Sequence, residues 1–217
     1  MQAVMSWVSA VRESVPRGQL ALVSSLFVAV MIAGGLLVAL KFTGNGEVYT
    51  DVRIRSLENQ LVARPDDLAT RRALAFAHQQ AGDDRSALRE YDRVLAHDAN
   101  DLASLFNVGV IHLGRGDMDE GERYLLQVLE LAPTHTLAAL TLGDLYLERG
   151  AYDRIVEVAL PPSKARPELA DLHYLLGRGY AGIGNTAEAR ACYTRALQRV
   201  PDMAEARAAL DELEADR

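Results

Sequence analysis

Two hydrophobic patterns divide the chain. Residues 20–40 read LALVSSLFVAVMIAGGLLVAL, 21 residues without a charge. At about 1.5 Å per residue, a helix of this length spans roughly 31 Å, which matches the hydrocarbon core of a bilayer. From residue 47 onward, apolar residues recur at helical spacing in short segments separated by turn residues. The sequence therefore predicts one transmembrane helix followed by an all-α domain.

The apolar run has two other interpretations, a buried core helix and a cleavable signal peptide. A core helix this uniform needs a large protein around it, and the rest of the chain supplies its own core. A signal peptide has a shorter apolar region followed by a small-residue cleavage site, whereas this run ends in Lys41 and Phe42. We interpret residues 20–40 as an uncleaved anchor. Residues 1–19 are predicted to be an interfacial segment, with a frayed tail as the alternative.

The charges beside this helix bear on its orientation. Arg12 and Arg17 precede it, and Lys41, Arg53 and Arg55 follow it, so the positive-inside rule finds nearly equal numbers on the two sides. A short tail, one span and a large C-terminal domain form the usual layout of a signal anchor. We expect a single-pass protein of the inner, or cytoplasmic, membrane with its helical domain on the periplasmic (extracytoplasmic) side. The preference for arginine over lysine suggests a bacterial source.

A repeat of constant length organises the helical domain. Each of four glycine-containing dipeptides closes one helical pattern and precedes the next, which predicts a helix-ending glycine followed by a turn. They are spaced 34 residues apart and are Gly82-Asp83, Gly116-Asp117, Gly150-Ala151 and Gly184-Asn185. A large apolar residue followed by a small one precedes each turn at a fixed distance. These pairs are Leu74-Ala75, Val108-Gly109, Leu142-Gly143 and Leu176-Gly177. The small residue lets the second helix of each unit approach the first closely.

These units resemble tetratricopeptide repeats (TPRs). That family has a 34-residue repeat of two antiparallel helices, with Leu-Gly in the first helix and Ala followed by an aromatic residue in the second. Leu142-Gly143, Leu176-Gly177, Ala87 with Tyr91 and Ala189 with Tyr193 match this pattern. The resemblance implies a right-handed α-solenoid of about four helical hairpins with capping helices.

The predicted boundaries follow from the repeat. Residues 41–64 are expected to form a hinge and a capping helix, residues 65–203 the solenoid, and residues 204–217 a C-terminal capping helix, because terminal units otherwise expose an apolar face. The four units are predicted at residues 68–101, 102–135, 136–169 and 170–203. The third unit is irregular, since Pro161 and Pro162 fall in its second helix. We expect that helix to stop near Leu160.

The resemblance also implies where a partner binds. In this family the first helices of successive units line a concave groove. By position, the groove residues are Arg72, Phe76, Gln79, Phe106, Asn107, Val110, Leu113, Leu137, Leu140, Asp144, Leu147, Asp171, Tyr174 and Arg178. This surface is apolar in the middle, with an arginine at either end. It suits an amphipathic helix or an extended peptide segment. Alternatively, part of it is covered by the superhelix itself or by self-association.

Composition and candidate chemistry narrow the function. Residues 41–217 carry a formal charge of −8 within a net −7 for the chain, which argues against nucleic acid as a partner. A Gly-x-Gly-x-x-Gly match at residues 177–182 lies inside a predicted first helix, so it is not a dinucleotide-binding turn. His78, His112 and His173 occupy packing positions, and we expect no metal, no cofactor and no catalytic residue.

Two functions remain after this exclusion. The first is a membrane-anchored scaffold, held by residues 20–40 in the lipid bilayer, that binds partner proteins and supports assembly of a membrane-associated complex. The alternative is a chaperone-like factor of cytochrome c biogenesis that holds an unfolded client. The layout of one anchor and a repeat domain fits both.

Overall fold

The computed structural model describes residues 50–215, whose regular structure is all helical. The helices are α1 (50–63), α2 (Leu68–Gln80), α3 (Asp84–His97), α4 (Leu102–Gly114), α5 (Met118–Leu131), α6 (Thr136–Arg149), α7 (Tyr152–Ala165), α8 (Ala170–Gly182), α9 (Thr186–Arg199) and α10 (Ala204–Ala215). The predicted interfacial segment, membrane helix and first residues of the hinge lie outside the described residues. Within residues 50–215, no helix has both the length and the hydrophobicity to cross a bilayer. The all-α fold class is confirmed for this part of the chain.

Helices α2 to α9 form four helical hairpins. The first helices are α2, α4, α6 and α8, and each packs against the second helix that follows it. Each second helix also packs against the first helix of the next hairpin, and α10 packs against α9. The first helices contact one another as well, α2 with α4 and α6 with α8. Each hairpin therefore covers an apolar face of its neighbour, as a repeat array requires.

The same turn closes every hairpin. Its glycine is Gly82, Gly116, Gly150 or Gly184, and each has a φ between 67° and 85°. The residue after the glycine donates its N–H to a carbonyl in the last turn of the first helix, with N···O distances of 2.8–2.9 Å. This pattern is a Schellman motif, which needs a left-handed residue at that position. The 34-residue spacing of glycines in the sequence is thus the spacing of these turns.

Small residues set the distance between paired helices. In the second hairpin, Gly109 of α4 faces Gly121 of α5, and a Cβ on Gly121 would lie 2.9 Å from the Gly109 carbonyl oxygen. In the fourth hairpin, a Cβ on Gly177 would lie 2.3 Å from the ring of Tyr193. In these two hairpins the small residue admits the second helix, as predicted.

The third hairpin differs in what lies nearest to its small residue. The three atoms closest to a Cβ on Gly143 all belong to Leu175 of α8, the nearest at 2.3 Å. The reason lies at the position of α7 that corresponds to Tyr193 one repeat later, which is Ala159. Alanine is too short to fill the space over Gly143, so the first helix of the next hairpin fills it.

The predicted end of α7 near Leu160 is wrong, because the helix continues through Pro161 and Pro162 to Ala165. Neither proline has an N–H, so the two carbonyls four residues earlier lack their usual helical donors. Pro162 is fully buried, and Ser163 is buried and donates its hydroxyl to the Leu160 carbonyl at 2.9 Å. Burial of this last turn against the neighbouring helices offsets the cost of the prolines.

Helix α7 packs against α8 more extensively than any other second helix packs against the hairpin after it. Two further glycines permit this contact. A Cβ on Gly179 would lie 3.0 Å from Ile155, and one on Gly182 would lie 2.1 Å from the ring of Tyr152. The third and fourth hairpins are therefore joined by a close interface.

A pair of Gly→Ala substitutions tests the close approach of α4 and α5. In Gly121→Ala the new methyl group meets Leu113 and the Gly109 carbonyl, so we expect a net loss of about 1–2 kcal/mol despite the better helix propensity of alanine. Gly114→Ala is the control, since nothing lies within 4 Å of its Cβ. It should stabilise by about 0.5 kcal/mol. Urea denaturation of the full chain, followed by circular dichroism, measures both; equal shifts for the two would contradict the packing.

Candidate protein-binding groove

All the groove residues predicted from the sequence lie on the first helices. Three are on α2, four on α4, four on α6 and three on α8. None of them is fully buried: Phe76, Leu137, Asp144 and Asp171 are exposed and the remaining ten are half-buried. We call the surface formed by these fourteen residues the first-helix groove. Because α2 contacts α4 and α6 contacts α8, the structure brings residues of neighbouring units together on this surface.

The middle of the groove is apolar and accessible. Leu137 is 59% exposed and Phe76 is 40% exposed, large fractions for side chains of this type. Phe106, Leu140 and Leu147 are half-buried, since each also packs against the buried residues of the hydrophobic core. The groove thus contains apolar side chains that pack partly against the core and two, Phe76 and Leu137, that project into solvent. Exposed apolar side chains that cluster on one face often mark a site of protein–protein interaction.

Arg72, predicted at one end of the groove, is occupied within the fold. Its guanidinium forms an ion pair with Asp101. Asp101 is also the N-cap of α4, where it accepts a hydrogen bond from the Ser104 N–H at 2.8 Å. The same carboxylate therefore starts α4 and ties it to α2. Sequence analysis missed this role, although the Asp-x-x-Ser spacing is a recognisable helix-start signal.

Arg178, at the other end, keeps its charge available. Its guanidinium donates to the Tyr174 hydroxyl at 3.1 Å, and it forms no ion pair with a carboxylate in the described part of the chain. Both residues line a cleft of about 520 Å³ that α10 closes. Tyr152, Glu205 and Glu212 also line this cleft, and none of the three was predicted from the sequence. The C-terminal capping helix thus contributes acidic side chains to this end of the groove.

Two polar groove residues are held by internal hydrogen bonds. Gln79 accepts a hydrogen bond from the Tyr91 hydroxyl at 3.3 Å, across the first hairpin. Asn107 donates its side-chain amide to the Ala103 carbonyl at 2.9 Å, along its own helix. Both side chains are therefore already oriented before any partner binds, which lowers the entropic cost of using them.

Asp144 places an unpaired charge within the apolar stripe. It forms no ion pair among residues 50–215. Although the side chain is exposed, neighbouring atoms exclude some of the water around its carboxyl, which raises the pKa of that group, and the negative charge of Glu148 adds to the shift. A raised pKa means that the fold makes the carboxylate less favourable than it is in water. A positive charge near Asp144 would relieve this cost.

Two profiles of the tetratricopeptide repeat match this sequence. One matches residues 72–136 and 112–154, and the other matches residues 170–203. Together they cover more than half of the chain. The chain is a tetratricopeptide-repeat protein. Among curated proteins, none matches it.

Solved structures support the fold of this tetratricopeptide-repeat protein. MamA residues 41-end from Desulfovibrio magneticus RS-1 is 23% identical, with a TM-score of 0.61, covering 70% of this chain and 85% of that one. A second MamA crystal structure is 19% identical, with a TM-score of 0.60, covering 75% and 89%. MamA AMB-1 is 24% identical, with a TM-score of 0.58, covering 68% and 87%. At these identities the likeness concerns the fold.

The histidines of this tetratricopeptide-repeat protein make local contacts. His112 stacks on Tyr124, with ring centroids 5.8 Å apart, and its Nδ1 lies 3.3 Å from Asp117. His173 donates from Nε2 to the Pro167 carbonyl at 3.0 Å. Residues 50–215 contain no group of three or more His, Cys, Asp or Glu side chains arranged to hold a metal ion.

Replacing Asp144 tests the electrostatics of the groove. Its raised pKa gives a stability contribution that is present at acidic pH and lost as the pH rises through the folded-state value. We expect Asp144→Asn to raise the melting temperature of the full chain at neutral pH. The gain should disappear below pH 3.8, the ordinary value, where both states are protonated. Asp92→Asn, also at an exposed helical position, controls for helix propensity; a gain that does not depend on pH would contradict the assignment.

Proposed function

We propose that this protein is a membrane-anchored adaptor that holds partner proteins in the first-helix groove and supports assembly of a membrane-associated complex. The observation that carries the proposal is the apolar stripe on successive first helices, where Phe76 and Leu137 project into solvent. Such a stripe offers apolar anchors at intervals set by the repeat, and binding needs only a few of them. The proposed role is non-catalytic.

The shape and charge of the groove define the partner segment. An amphipathic helix or an extended segment can present apolar side chains at the spacing of the stripe. A basic residue on that segment would face Asp144, whose carboxylate has no ion-pair partner in the described residues. An acidic residue would suit Arg178, which is likewise not ion-paired there. We therefore infer a mainly apolar segment that carries both charges.

Residues 20–40 supply the anchor in this proposal, and the repeat domain lies on the periplasmic (extracytoplasmic) side of the cytoplasmic membrane. Attachment to the bilayer raises the effective concentration of the groove near membrane-bound partners. A groove of modest affinity is then sufficient. A second copy of this chain is the competing occupant of the groove.

A double substitution tests the groove. Phe76→Ser with Leu137→Ser removes the two most exposed apolar side chains of the groove, and we expect partners recovered by affinity purification from detergent-solubilised membranes to fall about tenfold, equivalent to ~1.4 kcal/mol. The matched control is Met118→Ser with Leu131→Ser, which removes two exposed apolar side chains from α5.

The identity of the recovered proteins separates the alternatives. A stable multi-subunit complex that depends on the groove supports the adaptor. Enrichment of cytochrome biogenesis proteins would favour the chaperone-like function, and recovery of an untagged copy of the chain would favour self-association. Unchanged recovery in the groove variant would refute the proposed site.

Membrane attachment is tested separately. We expect the full chain to stay in the membrane fraction after alkaline carbonate extraction, because a spanning helix buries about twenty apolar residues in lipid. A chain beginning at residue 41 should be released. Protease added outside intact spheroplasts should digest the repeat domain; protection of that domain would reverse the proposed orientation.

A further inference from the structure

A second cleft lies on the other side of α8 from the first-helix groove. Groove residues on α8 are Asp171, Tyr174 and Arg178, whereas His173 and Tyr180 of the same helix line this cleft. At 3.6 residues per turn these two sets point in nearly opposite directions. The cleft has a volume of about 490 Å³ and is bounded by the last turn of α7 and by α9. We call it the α7–α9 cleft.

The rim of the α7–α9 cleft is basic. Lys164, Arg195 and Arg199 line it and are exposed. None of these three forms an ion pair with a carboxylate in the part of the chain that the structure describes. Glu188 also lines the cleft, and Arg195 approaches the thiol of the buried Cys192. With one carboxylate against three cations, the cleft has a net positive charge on a domain that is otherwise acidic.

A buried polar atom without a partner belongs to the same cleft. His173 is only 7% exposed. Its Nε2 lies 3.0 Å from the Pro167 carbonyl oxygen, which can only accept, so Nε2 carries the proton. Nδ1 is then an acceptor, and no donor in residues 50–215 reaches it. A buried acceptor without a donor is costly, and because His173 lines the cleft, this unpaired acceptor lies beside the space that a ligand would fill.

The irregular helix of the third hairpin builds part of this cleft. Because α7 continues through its two prolines, its last turn places Ser163 and Lys164 at the rim. A helix ending at Leu160 would not extend this turn over α8. The apolar walls come from Leu160 and Leu176.

We propose that the α7–α9 cleft binds an acidic peptide segment of a partner protein, independently of the first-helix groove. The carboxylates of such a segment pair with the three cations of the rim. Its backbone N–H groups supply the donor that Nδ1 of His173 lacks, and its aliphatic side chains cover the apolar walls. A free phosphate or a phospholipid headgroup also offers anionic oxygens to the cations, but it has no aliphatic side chains to cover Leu160 and Leu176.

The test is a binding titration of the full chain in detergent with a fluorescent short peptide of Asp, Glu, Leu and Gly. A peptide with Asn and Gln in place of the acids is the neutral control. We expect Arg195→Glu with Arg199→Glu to raise the Kd of the acidic peptide at least about tenfold. Arg85→Glu with Arg115→Glu makes the same change of charge away from the cleft and should leave the Kd within about twofold.

The substitution His173→Gln tests the hydrogen bond at Nδ1 separately from the ion pairs of the basic rim. Glutamine keeps a terminal N–H for the Pro167 carbonyl but has no acceptor at the position of Nδ1, so we expect a Kd about three- to tenfold higher. The melting temperature of the free chain should not fall, since the substitution also removes an unpaired buried acceptor. The groove variant Phe76→Ser with Leu137→Ser should bind the acidic peptide normally, which keeps this result distinct from a failure of the proposed adaptor function.

Four results would overturn the proposal. These are equal affinity for the acidic and neutral peptides, equal weakening by the cleft and control charge variants, displacement of the peptide by millimolar inorganic phosphate, and displacement by micelles doped with phosphatidylglycerol. The last two would assign the cleft to a free anion or to a lipid headgroup.

Discussion

The close approach of two helices over a small residue is the constraint on which the rest of this structure depends. Where Gly109 meets Gly121, the two backbones touch and the hairpin is fixed as a unit. Where Gly177 meets Tyr193, a ring takes the place of the second glycine. Close packing at the small residue thus fixes the position of each first helix, and with it the orientation of the opposite face of that helix. That face is the first-helix groove, so the geometry of this candidate surface follows from contacts made on the opposite side of each helix.

Turns and helix caps then give each hairpin the same local geometry. The Schellman turns end every first helix with the same hydrogen bonds, and in the first hairpin Asp83, directly after the turn glycine, caps the second helix by accepting a hydrogen bond from the Ser86 N–H. Contacts between successive hairpins, in contrast, differ from one pair of hairpins to the next. Tyr146 donates to Glu122 at 2.8 Å, and Arg149 reaches both Glu122 and Asp119, so α5 and α6 are joined by a small charged network. Regular local geometry and irregular contacts between units together produce the array.

The sequence predicts local features well and tertiary contacts poorly. The turn glycines could be located from the sequence because a left-handed φ favours glycine, so a single residue type marks each turn. The continuation of α7 could not, because it depends on burying Pro162 and Ser163 against other helices. Likewise, the position of Arg72 on the groove followed from the repeat, whereas its ion pair with Asp101 depends on how two hairpins stack. Arg195 and Arg199 share one face of α9 in the sequence, but only the packing of α7 beside α9 brings Lys164 to the same rim.

The interfaces between successive hairpins are unequal in extent, and this affects which hairpins unfold together. The last two hairpins share a more extensive interface than the earlier ones do. In it, Tyr152 packs against Gly182 and Ile155 packs against Gly179. In a linear array, each interface adds its own term to the stability of the domain. The most extensive interface therefore couples the last two hairpins, which we expect to unfold together, whereas the earlier hairpins separate more independently.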